Sequence, residues 1–580
     1  MNMIQKNILI KILVTLIFSF SPLNVFADYS GQQVNFFVNP DYDSTGREII
    51  SANLKKIGRD AYFYVDNVWW SNLDYQGKEK VKMSLQGLDY VFSQQIRPKL
   101  TSVFGFERSP GIDNDKKITI LIHPMKKEAR GYFNNVDEYL KTQSSRSNQR
   151  EMVYLNADYI TSPISKSLLA HEYTHLITFN QKDKYLTEEE TCLNEARAEY
   201  APTLVGFDDD YNGSYLQKRV NDFLSNPSDS ITEWKNKPSD YGALNLFTHY
   251  LVEQYGVKIL SDSLQSKYVG VQSLNKALED NGIGKDLSDI FTDWTIAAYV
   301  NDCSLGEQYC YKNKNLKDVR IIPLINFLPL SGRSTLGVTQ ETKDWAGNWF
   351  KFIGGKGTLR LEFIGETSQS FRVPYIVQEL SNKYSLGFFE LNNFQRGTVS
   401  IPNFGTNVGS ITIIPSIQTK LSNFTNNETS FPFFWEASTA TAIKDENINY
   451  LDKPISSMSK QELLSKENDL KRLLGQLNDQ VVTIEREEKE KPIMCGKFKE
   501  NLYFGLKGDG VRCLQQFLRT QEGIYPEGLV TGNFFTLTSK AVIKFQEKYA
   551  NDILAPLGLK KGTGFVGSST RDKLNELLGF

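Results

Sequence analysis

The spacing of hydrophobic residues changes several times along this chain, and each change marks a different kind of structure. An apolar run from Ile8 to Phe20 opens it, with Lys6 and Lys11 at its start. From Asp28 to about Ser162, strand-like segments such as Lys117–Ile122 (KITILI) and Met152–Leu155 (MVYL) mix with helical ones. Leu168–Phe179 is then largely apolar and predicts a buried helix, with Pro163 at its start and Thr161 or Ser162 as cap. Glu188–Tyr200 (EEETCLNEARAEY) has helical composition without Gly or Pro, and helical segments continue to about Asp302. Short alternating strands follow from about Leu330 to Ala440, among them Asn348–Ile353, Thr358–Ile364, Thr398–Ile401 and Ser410–Ile414. Their spacing predicts an immunoglobulin-like β-sandwich. Residues 455–491 are charged, with Leu463, Leu470, Leu477 and Ile484 seven apart, which predicts a helical stalk or a short coiled coil.

These transitions predict a multidomain chain: 1–27 a leader, 28–329 an α+β domain, 330–445 the sandwich, 446–494 a charged helical linker and 495–580 a small module. The leader ends in Val25-Phe26-Ala27 before Asp28 and reads as a secretory signal peptide. Its apolar run is short of the roughly 20 residues that span a bilayer, so a mature, exported protein without a membrane span is expected. Removing the leader takes the formal charge from −2 to −4 over 553 residues, which gives no electrostatic argument for nucleic acid. In an oxidising compartment, Cys303 with Cys310 and Cys495 with Cys513 are expected as local disulfides. Cys192 is then left over as a buried free thiol.

The chemistry concentrates in H-E-Y-T-H, residues 171 to 175. Residues four apart on a helix share a face, so His171 and His175 can offer two imidazole nitrogens to one metal ion. Glu172 is turned away from that axis and can reach water held at the metal, as the general base of a zinc hydrolase should. Catalytic zinc takes three protein ligands and leaves a position for water. Glu195 is the candidate third ligand, separated from His175 by nineteen residues and standing on the second predicted helix.

Here the chain resembles the gluzincin zinc peptidases, the thermolysin-like group, in which HExxH is followed at this distance by a helix carrying Asn-Glu, here Asn194-Glu195. The resemblance covers roughly Ser165 to Tyr200. It implies a zincin-like peptidase domain, Zn2+ held by His171, His175 and Glu195, Glu172 as general base, and Glu199 as a carboxylate orienting a ligand histidine. It also implies a mixed sheet whose exposed edge pairs with extended substrate, with Gly131–Phe133 or Met152–Leu155 as that edge. Gluzincins draw an oxyanion donor from a downstream helix. Tyr241 and His249 stand in such a segment; Tyr241 is the expected donor, and His249 and His123 read as packing histidines. A metzincin is excluded because Thr178 and Gln181 occupy the required Gly and His positions, and the absence of a Gly-x-Met-Glu-Asn segment speaks against an aminopeptidase. Asp113, Asn114 and Asp115 lack EF-hand spacing and read as a solvated turn.

The last module carries Gly508-Asp509-Gly510-Val511, Leu514-Gln515, Val530-Thr531-Gly532, Leu537-Thr538, Phe545-Gln546, Val566-Gly567 and Thr570-Arg571. It resembles the small three-helix peptidoglycan-binding domain of bacterial wall enzymes, with an internal echo of Gly-x-Val-x-Gly against Gly-x-Val-Gly. Phe535 departs from the pattern, which usually has glycine there. Together these resemblances imply a secreted zinc metalloendopeptidase, attached to peptidoglycan through its C-terminal domain and acting on proteins or peptides. A peptidase cutting peptidoglycan cross-links and a non-catalytic wall-anchored adhesion protein are the alternatives.

Overall fold

The computed structural model describes residues 28–328, 334–440 and 495–580, which form two compact units. The segments read as signal peptide and charged linker lie outside the described residues. The first unit comprises the chain up to Ile322 together with Lys420–Glu428; the second begins at Pro323 and includes the C-terminal module.

A six-stranded sheet opens the first unit, built from β1 (Gln33–Phe37), β2 (Ile49–Ile57), β3 (Ala61–Asp66), β4 (Ile118–His123), β5 (Gly131–Phe133) and β6 (Met152–Asn156) in the order β1-β2-β3-β4-β6-β5. β3, β4 and β6 run parallel, and β5 closes the sheet antiparallel to β6. Every residue of β3, β4 and β6 is buried, so their sequences are covered on both faces and show little alternation. Of the two segments that the sequence left open as the edge, Gly131–Phe133 is the edge strand; the Met152–Leu155 segment lies inside, paired on both sides. The parallel β3-to-β4 connection carries α1 (Asn67–Asn72), α2 (Tyr75–Val91) and α3 (Arg97–Phe104), the last two joined by a π turn, as such crossovers require a long connection.

Against this sheet lies α4 (Ser165–Asp183), with fifteen of nineteen residues buried. Its apolar residues Leu168, Leu169, Tyr173, Leu176 and Ile177 are buried together with its polar His171, Glu172 and His175. Its start differs from expectation. Ile164 holds the cap position without a side-chain bond, because the Ser165 N–H already reaches the Ser162 carbonyl at 3.0 Å, and Pro163 belongs to that preceding turn. Helices α5 (Thr191–Val205), α6 (Tyr215–Ser225), α7 (Pro238–Tyr255), α8 (Lys258–Leu264), α9 (Gly270–Asp280) and α10 (Leu287–Val300) complete the helical half. Cys303 and Cys310 then form a disulfide with a Cα separation of 5.0 Å.

The second unit starts with β7 (Leu324–Leu328), so the sandwich begins several residues before 330. It continues with β8 (Ser334–Thr342), β9 (Phe350–Gly354), β10 (Gly357–Gly365), β11 (Phe371–Arg372), β12 (Pro374–Glu379), β13 (Tyr384–Phe388), β14 (Arg396–Phe404), β15 (Val408–Ile413), β16 (Ser416–Ile417) and β17 (Phe431–Ala440). One layer pairs β13-β12-β15-β9-β7 and the other β14-β10-β17-β8, joined by the single Phe404–Val408 bridge. Phe352, Leu361, Phe363, Ile411, Phe433 and Trp435 fill the space between the layers. The parallel β7–β9 pair adds to the antiparallel immunoglobulin-type pattern that the strand spacing suggested.

In the C-terminal module, α11 (Asp509–Thr520), α12 (Thr536–Lys548), the short α13 (Ala550–Ile553) and α14 (Ser568–Leu577) surround a core of Leu514, Leu518, Phe534, Val542, Phe545 and Leu574. The Cys495–Cys513 disulfide ties its first residues to α11. The internal repeat is real but differs in register from the glycine echo. Gln515 accepts the Gly532 N–H and donates to the Asn533 carbonyl and Thr538 hydroxyl, each at 2.8 Å. Gln546 does the same with Gly564, Phe565 and Thr570 at 2.9, 2.8 and 3.0 Å. Phe535, the departure from pattern, packs on Phe504 and on Phe434 of β17.

Candidate functional site

Helix α4 delivers His171 and His175 from one face, with their Nε2 atoms 3.2 Å apart. The next helix, α5, brings Glu195 Oε2 to 3.5 Å from His171 Nε2 and 3.8 Å from His175 Nε2. Ligands held about 2.0–2.2 Å from a tetrahedral ion stand roughly 3.3–3.6 Å from one another; the 3.5 Å separation matches this, and the 3.2 and 3.8 Å separations bracket it. His175 Nδ1 lies 3.0 Å from Asn194 Oδ1, and a proton on that nitrogen turns the Nε2 lone pair to the common point; His171 Nδ1 lies 3.4 Å from Glu199 Oε1 without a hydrogen bond between them. Glu195 Oε2 is buried and accepts no hydrogen bond, a costly state for a carboxylate unless a cation occupies that point. His171, His175 and Glu195 are the one such group of potential ligands among the described residues.

Glu199 sits at the site's rear, fully buried, and its carboxylate is held by Arg219 and the Tyr215 hydroxyl from α6. Glu172 points to the other side, toward the edge strand. A side chain at Gly131 would begin 2.7 Å from Glu172 Oε1 and 2.8 Å from the Tyr154 carbonyl, so the glycine makes room for this carboxylate. Burial pushes Glu172 up to about 8; the charge of His171 opposes this, and Glu195 and Glu199 add to it. A carboxyl group poised in that range suits proton exchange near neutrality.

The trio opens onto a cleft of about 720 Å³. Its sheet-side wall includes Tyr42 and the segment from Lys126 to Phe133, and its helical wall includes Tyr215, Lys218, Arg219 and Tyr241. Tyr241 donates to Asn236 Oδ1 at 2.6 Å, while the Arg219 guanidinium lies 4.4 Å over its ring. Burial, then Glu195 and Glu199, oppose its ionisation, which keeps the phenol a donor within the field of the metal-site carboxylates. His249 is elsewhere, against Thr203 and Tyr200, and His123 is buried beside Asp43. Asp113–Asp115 form a hydrogen-bonded turn, and Cys192 is a buried free thiol outside the trio.

The chain is similar to a metalloprotease. It is 24% identical over 307 residues to Neutral metalloprotease ShpI of Staphylococcus hyicus, an alignment covering 47% of this chain and 64% of that protein. The chain thus spans less than two thirds of that relative's length. No family profile matches it. Among solved structures it is similar over 20% of its length to the periplasmic g-type lysozyme inhibitor PliG of Aeromonas hydrophila (TM-score 0.14, 11% identity, 98% of that chain). It is also similar over 20% to the pre-peptidase C-terminal domain of Bacillus anthracis collagenase (TM-score 0.13, 8% identity, 96% of that chain). At such scores neither likeness bears on fold or function.

Sequence reasoning missed Arg219, Tyr42 and the role of Gly131. None sits in a motif: Arg219 is one charge on an amphipathic helix, Tyr42 an isolated loop aromatic, and Gly131 one glycine among forty. Tyr42 is brought to the cleft by stacking on Tyr132 at 4.9 Å, and its ionisation is opposed by burial and then by Glu172 and Glu195.

Proposed function

We propose that this chain is a secreted, cell-wall-associated zinc metalloendopeptidase, with His171, His175 and Glu195 as ligands and Glu172 as general base. The observation that carries this reading is the convergence of two imidazole Nε2 atoms and an otherwise unpartnered buried carboxylate oxygen on one point. Similarity to a metalloprotease supports it independently. Zinc bound there supplies Lewis acidity, acidifying water and polarising a carbonyl. Glu172 takes the proton of the attacking water and returns it to the leaving amine. The Tyr241 hydroxyl, released from Asn236, donates to the developing oxyanion. The free edge of β5 pairs with extended substrate backbone, so contacts common to all peptides position the scissile bond.

Export rests on the leader, and wall attachment on the C-terminal module's resemblance to peptidoglycan-binding domains. The test is parallel digestion of unfolded casein and purified peptidoglycan, with the Glu172→Gln variant alongside and zinc content measured. Casein cleavage lost in a zinc-replete variant is the expected result. Cleavage of peptidoglycan alone would make the enzyme a wall-remodelling peptidase, and no hydrolysis with zinc loaded would leave an adhesion protein.

A further inference from the structure

Charge around the cleft is unevenly paired. On the helical wall, Arg219 is matched by Glu199, and Lys218 lies 2.6 Å from Asp222. On the sheet-side rim, Lys126 and Lys127 are balanced in number by Asp41 and Glu128. Arg130 is the excess. Its guanidinium lies 5.2 Å over the Tyr159 ring and pairs with no carboxylate among the described residues. It also faces Lys218 across the cleft: the ammonium of Lys218 is pushed down by burial, then by Arg219, with Arg130 adding to the effect. Arg130 directly precedes Gly131, the residue against which Glu172 is packed, and one strand residue spans about 3.3 Å. A substrate laid along β5 therefore brings residues next to the scissile bond within reach of this unneutralised charge.

We propose that Arg130, with Lys218 opposite, selects peptide substrates bearing a carboxylate side chain beside the bond that is cut. The inference rests on the peptidase reading above. A guanidinium fork suits a carboxylate because it offers two parallel donors, and a half-buried site raises the worth of that pairing over water. The charge-assisted bonds predict a preference of roughly ten-fold or more in kcat/KM.

The experiment uses the full mature chain and a set of peptides that differ at the positions flanking one cleavable bond: Glu, Asp, Gln, Leu or Lys, each with a free or an amidated C-terminus. Cleavage sites and rates are read by mass spectrometry. Wild type is expected to favour Glu and Asp over Gln, with the advantage shrinking in high salt. Arg130→Glu should reverse the preference toward Lys, and Arg130→Ala should level it. Because each readout is a ratio within one variant, partial loss of folded enzyme cancels. A preference that vanishes on amidation would assign the carboxylate to the peptide terminus and overturn the side-chain assignment. Cleavage without acidic preference, or a preference unchanged in Arg130→Glu, would overturn the inference alone. No cleavage of any peptide by zinc-loaded enzyme would overturn the peptidase reading, and this inference with it.

Discussion

Arg219 grips the Glu199 carboxylate with two nitrogens, Nε to Oε2 at 2.7 Å and Nη2 to Oε1 at 2.8 Å, and Glu199 in turn stands 3.4 Å from His171 Nδ1. The guanidinium also underlies the ring of Tyr241. One buried cation thereby joins the support of a proposed ligand histidine to the proposed oxyanion donor. Replacing Arg219 with Ala leaves Glu199 buried without its countercharge, which costs about 3–5 kcal/mol in comparable sites. Zinc affinity is expected to fall about 10–100-fold, as when other carboxylates behind ligand histidines are disturbed. Thermal unfolding with and without chelator, together with competition against a zinc-binding dye, checks both; unchanged affinity would show that Glu199 does not steady His171.

Gly131 offers a test of position without change of chemistry. In Gly131→Ala the new methyl would lie inside contact distance of Glu172 Oε1, so either that carboxylate or the edge strand must move. A displacement near 1 Å is expected to lower kcat by about 100-fold. Zinc content should match wild type, since the proposed ligands stand on α4 and α5 and not on β5. Full activity in a folded Gly131→Ala enzyme would mean that Glu172 has room to spare and is not poised as proposed.

Tyr241→Phe removes a hydroxyl that now donates to Asn236. If that hydroxyl turns to the oxyanion in the transition state, kcat should fall about 10²–10³-fold while KM and zinc binding change little. Asn236→Ala is the informative companion, because it frees the hydroxyl and should leave most of the rate intact. Equal losses in both variants would reduce Tyr241 to a packing residue of the helical wall. Tyr42, facing Glu172 and Glu195 from the other wall, would then be the next donor to test.

What could be read in the sequence follows from how local each feature is. His171, Glu172 and His175 fall within five consecutive residues of one helix, and Glu195 comes from the next, so spacing alone locates them. Helix and strand types were legible for the same reason: residues of β4 and β6 or of α4 carry their burial pattern in a few consecutive positions. Strand order was not. Met152–Leu155 and Gly131–Phe133 are both short and apolar, and which becomes the edge depends on β4, which pairs with one of them. The same holds for the site's remaining residues. Tyr42, Arg130 and Arg219 come from β1–β2, β4–β5 and α6, and only the packed fold brings them to one cleft with Tyr241 of α7, which the sequence did single out. At Phe535 the sequence departure was visible, but its cause, packing on Phe434 and Phe504, was not.

Beneath the edge strand, a buried carboxyl gives the fold a pH signature separate from the metal. Burial lifts Asp137 to about 6, against hydrogen bonds from the Tyr154 hydroxyl and from Asn148 that pull it down. Its unfolded value is about 3.9, so the folded state binds the proton more tightly than the unfolded chain does. The stability this contributes is complete below about pH 4 and is lost as pH rises through about 6, to a total of roughly 3 kcal/mol. Asp137→Asn mimics the protonated form and should lack this loss. Urea unfolding at pH 4.5 and 7.5, with chelator present so that zinc binding does not enter, measures the difference between variant and wild type; other titrating groups are common to both and cancel. The variant is expected to gain on wild type by about 2 kcal/mol between the two pH values. Parallel pH profiles would show that the two hydrogen bonds hold Asp137 ionised in the fold, and would place its cost in burial alone.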